Sequence, residues 1–177
     1  MTIPTQPLKM EVLRHYAQSY DLDVMIETGT FEGDTVADLI DDFKLIYSIE
    51  LDEALYNKAV KRFEFNPNVA IFNGDSAVIL PILIKTVTAS TLFWLDAHYS
   101  GGVTALGDTV TPILNELANI FIHAHPLSVV LIDDARLFGT QGGYPTIDKV
   151  IEGVEQCLST HKWSIANDII RVVPQLN

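Results

Sequence analysis

Two patterns alternate along this chain. Short apolar runs that end in or near an acid give way to longer stretches with an apolar residue at every third or fourth position. The runs at 21–27, 44–49, 69–72, 90–95 and 127–132 predict buried strands. The stretches between them predict helices at 33–43, 51–63, 77–84, 109–123 and 145–158, with a further helix at 8–20 whose stripe is Leu8, Val12, Leu13 and Tyr16. Asp52 opens one helix and Asn66-Pro67 stops it, while Asn73-Gly74-Asp75-Ser76 is a turn and N-cap signal. Pro112 suits a first helical turn, and Pro81 limits the length of its helix. Segments 162–166 and 169–173, around Asn167-Asp168, predict a terminal hairpin. Five strands alternating with helices imply a doubly wound α/β fold, a parallel sheet with helices on both faces. The hairpin adds an antiparallel strand at one edge. No repeat, linker or low-complexity tract interrupts the pattern, so 1–177 reads as a single domain with 1–20 as an N-terminal helical extension.

Composition narrows the function. A formal net charge of −12 argues against non-specific affinity for nucleic acid or anionic membrane, which reward lysine and arginine. It fits an enzyme that concentrates carboxylates, and it equally serves solubility alone. Cys157 has no internal partner for a disulfide and reads as a small buried hydrophobe. The first seven residues lack the basic-then-apolar order of a signal peptide, and no apolar run is long enough to span a bilayer. The expectation is a cytoplasmic protein.

The candidate chemistry lies at the strand ends. In an open α/β sheet, ligands bind beyond the carboxyl ends of the strands, near the switch in strand order. Here the strands run into Glu27, Glu50, Asp75, Asp96 and the pair Asp133-Asp134. One such acid alone is commonly a solvated carboxylate, but five in register point to a site. The first strand enters its helix through Glu27-Thr28-Gly29-Thr30-Phe31-Glu32-Gly33, a glycine turn before a helix N-terminus. Glu50 lies 21 residues beyond Gly29, the separation of a carboxylate that reaches ribose hydroxyls from the second strand. The turn is GxxxG rather than GxGxxG, and Glu27 and Glu32 would repel a pyrophosphate. They would attract an ammonium, which favours S-adenosylmethionine over a nicotinamide dinucleotide.

Glu27 to Gly33, Tyr47-Ser48-Ile49-Glu50-Leu51-Asp52, Asn73-Gly74-Asp75-Ser76 and Leu95-Asp96-Ala97-His98 resemble successive motifs of class I S-adenosylmethionine-dependent methyltransferases. The resemblance covers nearly the whole chain. It implies a seven-stranded Rossmann-like sheet of order 3-2-1-4-5-7-6 and methyl transfer from S-adenosylmethionine. It places Glu27, Gly29 and Gly33, with Thr28 and Phe31 in the same turn, around the methionine part of the cofactor. Glu50, with Leu51 beside it, would meet the ribose, and Asp75 and Ser76 the adenine amine. Thr30 and Thr35 would add hydroxyl contacts, although Thr35 reads equally as a first-turn helix residue. Asp96 stands close enough to the cofactor to count among its contacts.

Asp96, Asp133 and Asp134 end adjacent strands and would offer hard oxygen ligands to Mg²⁺. The trio is similar to that of metal-dependent O-methyltransferases of the macrocin and novobiocin sugar type, which implies a metal-activated hydroxyl as nucleophile. His98 stands where that group tends to carry an acidic base. It is read as the base, with metal ligand and solvent-facing loop residue left open. Arg136 reads as a structural partner for a carboxylate, and Tyr99 and Tyr144 as cleft-flanking packing residues. Trp94 and Trp163 read as core, and His123 and His125 as capping or surface residues. The expected function is O-methylation of a hydroxylated small molecule. The alternatives are a metal-independent methyltransferase and a non-catalytic cofactor-binding module. The chain is short for such a fold, and a homodimer would help to cover the cleft.

Overall fold

The computed structural model describes residues 5–96, 111–140 and 143–175. In chain order the elements are α1 (Gln6–Ser19), β1 (Val24–Thr28), α2 (Asp34–Leu39), β2 (Leu45–Glu50), α3 (Glu53–Arg62), β3 (Val69–Asn73), α4 (Ser76–Thr86), β4 (Thr91–Leu95), α5 (Ile113–His123) and β5 (Val129–Ile132). A short 3-10 turn (Ala135–Leu137), α6 (Ile147–Cys157), β6 (His161–Ala166) and β7 (Ile169–Pro174) follow. The strands form one seven-stranded sheet of order β3-β2-β1-β4-β5-β7-β6, with β7 antiparallel to both its neighbours. Strand order and the antiparallel hairpin are as expected.

Alternate strand residues face two separate cores, because side chains on a strand alternate faces. Val24, Ile26, Phe93, Leu95, Val130 and Ile132 pack under α4, α5 and α6. Met25, Leu92, Trp94, Val129 and Leu131 pack under α1, α2 and Phe63 at the end of α3. That double coverage explains why the strands read as unbroken apolar runs. Chain order reverses at β1, which lies between β2 and β4, so the crevice for a ligand opens above the tips of these three strands. No helix among the described residues is long and apolar enough to cross a membrane.

Several boundaries differ from the sequence reading for physical reasons. α2 is only six residues, because Asp41 and Asp42 would set negative charge against a helix C-terminus and the chain turns there instead. α4 runs through Pro81 to Thr86, its apolar face seated through Leu80, Leu83 and Ile84. Burial of that face outweighs one missing backbone hydrogen bond. Pro112 caps α5 rather than sitting inside it. Cys157 is exposed at the end of α6, not buried. Trp163, on the edge strand β6, is also exposed, its indole N–H donating to Glu155 on α6 at 3.2 Å. Trp94 is core as expected.

Candidate active site

The turn between β1 and α2 is tied to the tip of β2. Gly29 N and Thr30 N both donate to the Ile49 carbonyl, at 2.9 and 3.2 Å. Glu50 Oε2 accepts from Phe31 N at 2.7 Å and Oε1 from Asp52 N at 2.9 Å, so this buried carboxylate braces the turn and the start of α3 together. Gly33 has φ +79°, and a Cβ there would lie 2.9 Å from the Phe63 ring, so the turn admits no larger residue without displacement. Phe31 also takes a left-handed conformation, which turns its ring outward, half exposed.

Glu27 lies beneath this turn, 1% exposed. Its register partner Ser48 donates to its Oε2 at 2.5 Å, and Thr30 Oγ1 meets the Ser48 hydroxyl at 2.6 Å. Burial pushes the Glu27 carboxyl up to about 8, with the charges of Asp96 and Glu50 adding and the hydroxyls of Ser48 and Thr35 opposing. At neutral pH the free protein therefore holds this acid protonated.

A second buried acid was not anticipated. Glu116 of α5 is 1% exposed, its carboxyl beside the hydroxyls of Ser76 and Thr28 and its Oε1 without a hydrogen-bond partner among the described residues. Burial raises it to about 7. Its signal in the sequence was an acid within the apolar stripe of Ile113, Leu117 and Ile120. Asp75, expected to face a ligand, is the N-cap of α4, accepting from Ala77 N at 2.8 Å. Ser76 follows it, buried.

At the tips of β4 and β5 the three aspartates come together, and cations come with them. Lys9, reaching over from the first turns of α1, donates to Asp133 Oδ2. The other Asp133 oxygen accepts from Asp134 N at 2.8 Å. Arg136 pairs with Asp134 Oδ1 at 2.6 Å and with Asp168, a fully buried residue of the hairpin turn. Arg136 is thus a structural partner, as expected. Lys9 and Asp168 escaped the sequence reading, because a helix-surface lysine and a turn aspartate carry no distinguishing pattern. With both Asp133 oxygens engaged, the cluster as placed does not fit a hydrated divalent ion. Among the described residues no group of three or more His, Cys, Asp or Glu could hold a metal. Burial and the charge of Asp96 raise the Asp133 carboxyl, against the pull of Lys9.

A cleft beside this cluster is lined by Asp96, Glu116, Asp133, Phe138 and Tyr144 among others. The Tyr144 hydroxyl is buried there without a partner among the described residues, and burial and the neighbouring aspartates raise its pKa. His98 and Tyr99 lie outside the described residues.

Solved structures share this fold over nearly the full length of the chain. The O-methyltransferase TomG from Streptomyces achromogenes, in complex with S-adenosylmethionine, is 18% identical with a TM-score of 0.64, covering 98% of this chain and 82% of that one. The fold is that of a class I methyltransferase. An O-methyltransferase from Bacillus cereus in complex with S-adenosylhomocysteine shares the methyltransferase fold at 15% identity and a TM-score of 0.63, covering 98% of this chain and 84% of its own. A candidate rRNA methylase from Clostridium thermocellum does so at 11% identity and 0.67, over 99% and 100%. Such identities speak for the methyltransferase fold and leave the substrate open. No family model and no curated protein matches the chain.

Proposed function

We propose that this protein is an S-adenosylmethionine-dependent methyltransferase that methylates a hydroxyl of a small molecule. The observation that carries the reading is the joining of Glu27, the Gly29–Gly33 turn and Glu50 into one hydrogen-bonded unit at the switch in strand order. In this reading Glu27 ionises to hold the cofactor's ammonium, with Thr30 and Thr35 near it, while Thr28 presents its hydroxyl beside Glu116. Glu50 takes the ribose hydroxyls on its remaining lone pairs. Asp75 and Ser76 face the adenine, Leu51 and the exposed ring of Phe31 flank the nucleoside, and Asp96 closes the site towards the acceptor. The bound cofactor supplies an electrophilic methyl group on sulfur. The chain would hold the acceptor hydroxyl at the tips of β4 and β5, beside the cofactor. His98 would take the proton of the acceptor hydroxyl as it is methylated.

Calorimetry with S-adenosylhomocysteine tests the cofactor site: saturable binding is expected, and its loss in Glu50→Ala. Radiolabelled S-adenosylmethionine offered with a panel of polyols and catechol-like rings tests transfer. Binding without transfer to any of them would make the chain a cofactor-binding module. Magnesium assistance is a second form of the reading, suggested by the strand-end acids Asp96, Asp133 and Asp134, but the cluster as placed does not fit the ion, which would have to displace Lys9. Turnover that is abolished by EDTA and restored by Mg²⁺ would establish it. Light scattering tests the proposed cleft-covering homodimer.

A further inference from the structure

The cation of the carboxylate cluster is already on the chain. We propose that Lys9 takes the place of a divalent ion at the tips of β4 and β5, where its ammonium binds the acceptor oxygen. This rests on the methyltransferase reading for its chemistry, though not for the occupancy of the cluster.

Position is the first argument. Lys9 is paired with Asp133, whose side chain is 1% exposed, and it lies within the field of Asp96 and Asp134, the other two residues that would have ligated a metal. The rigidity of α1 is the second. Met10, Leu13 and Ala17 lie in the core against β4 and β5, so the helix delivers Lys9 from a fixed scaffold rather than from a mobile arm. Local preference is the third. A lysine near a helix N-terminus opposes the helix dipole, and no acid lies in the first turn of α1 to offset it. A residue placed against its local preference is held there by a tertiary partner, here the aspartates.

An ammonium has three donors, and the Asp133 contact uses one. The cleft next to the cluster contains two buried polar atoms with no partner among the described residues, Glu116 Oε1 and the Tyr144 hydroxyl. Asp133 lines the same cleft and Lys9 reaches it from the α1 side, so a hydroxylated acceptor lying over the strand tips would direct one hydroxyl to those atoms and one to Lys9. The ammonium would orient that oxygen and stabilise the negative charge that grows on it as the proton leaves. Because Lys9 fills the position with a single charge, the wild-type cluster has little affinity for Mg²⁺ or Mn²⁺.

The test is Mn²⁺ binding followed by electron paramagnetic resonance, with methyl transfer and S-adenosylhomocysteine calorimetry alongside. Wild type should bind no Mn²⁺ at this cluster below about millimolar concentration, and EDTA should leave turnover unchanged. Lys9→Met keeps the stem and removes the charge. It should bind Mn²⁺ at least about tenfold tighter than wild type and lose roughly a hundredfold in transfer, with cofactor affinity within about twofold. Saturable Mn²⁺ binding by wild type that Asp133→Asn abolishes would overturn the proposal whatever Lys9→Met does. So would a folded Lys9→Met with undiminished transfer. If wild type fails to bind S-adenosylhomocysteine, the methyltransferase reading falls, while the Mn²⁺ comparison still decides what occupies the cluster.

Discussion

At the scale of single residues, Glu27 joins function to stability. Its carboxyl ordinarily loses its proton near 4.5 and in this fold does so at about 8. Between those values the folded protein keeps a proton that the unfolded chain has released. Stability therefore falls as pH rises through that window, and the full cost, on the order of a few kcal/mol, is present above it. Glu116 adds a slope of the same sign up to about 7. Glu27→Gln has no proton to lose. Its melting temperature should fall less than that of wild type between about pH 5 and pH 9, and should exceed it at the alkaline end. The same variant should lose at least about tenfold in S-adenosylhomocysteine affinity, because an amide cannot balance the ligand's ammonium. Equal slopes in differential scanning calorimetry would refute the buried, protonated acid. Gly33 is a simpler case: φ +79° and a Cβ 2.9 Å from Phe63 predict a loss of about 1–3 kcal/mol in Gly33→Ala, read by urea unfolding.

Among the elements, the terminal hairpin does more than close the sheet. Asn167 and Asp168 both have positive φ, the conformation a two-residue hairpin turn requires. The turn brings Asp168 beneath the 3-10 segment, where its carboxylate accepts from Arg136 N at 2.7 Å and its carbonyl accepts from Ala135 N at 2.8 Å. The hairpin therefore fixes the backbone at the tip of β5, and with it Asp134 and Arg136. Asp168→Ala should cost about 2–4 kcal/mol in urea unfolding, since it removes the acceptor of the part-buried Arg136 N–H and one of the two carboxylates that Arg136 pairs with. An effect below about 0.5 kcal/mol would show that the turn does not brace the site. This contact shows where sequence reading ends. The strands, the terminal hairpin and the strand-end acids follow from apolar runs, glycine positions and short-range spacing, all local signals, whereas the order 3-2-1-4-5-7-6 follows from the resemblance to class I methyltransferases. Lys9 with Asp133 spans 124 residues, and Arg136 with Asp168 spans 32. Nothing near Lys9 or Asp168 distinguishes it from a surface lysine or an ordinary turn residue. A trio of aspartates likewise reads as a metal site until the residue that neutralises it is seen. Glu116 was legible in principle, as an acid on an apolar face.

For the molecule as a whole, charge is what favours the proposed acceptor, because the fold admits a small molecule and RNA equally. Structures of the same fold include the TomG O-methyltransferase and a candidate rRNA methylase, so architecture alone does not choose between a small molecule and RNA. RNA binding depends on cations free to replace counterions along the phosphates. This chain has 11 Lys and Arg against 23 Asp and Glu. At least six of those 11 are already paired with its own acids: Lys9, Arg14, Lys44, Lys58, Arg62 and Arg136. The cleft itself adds Asp96, Glu116 and Asp133, which would repel a phosphate beside the acceptor. Fluorescence anisotropy with a labelled rRNA hairpin in about 0.1 M salt should therefore show no binding up to about 10 µM protein. A hydroxylated acceptor carrying no phosphate meets no such barrier, and an amino sugar would gain from these carboxylates. Affinity for the hairpin tighter than about 1 µM would reverse this choice of acceptor, because it would require cations free to replace counterions despite the excess of acids over bases.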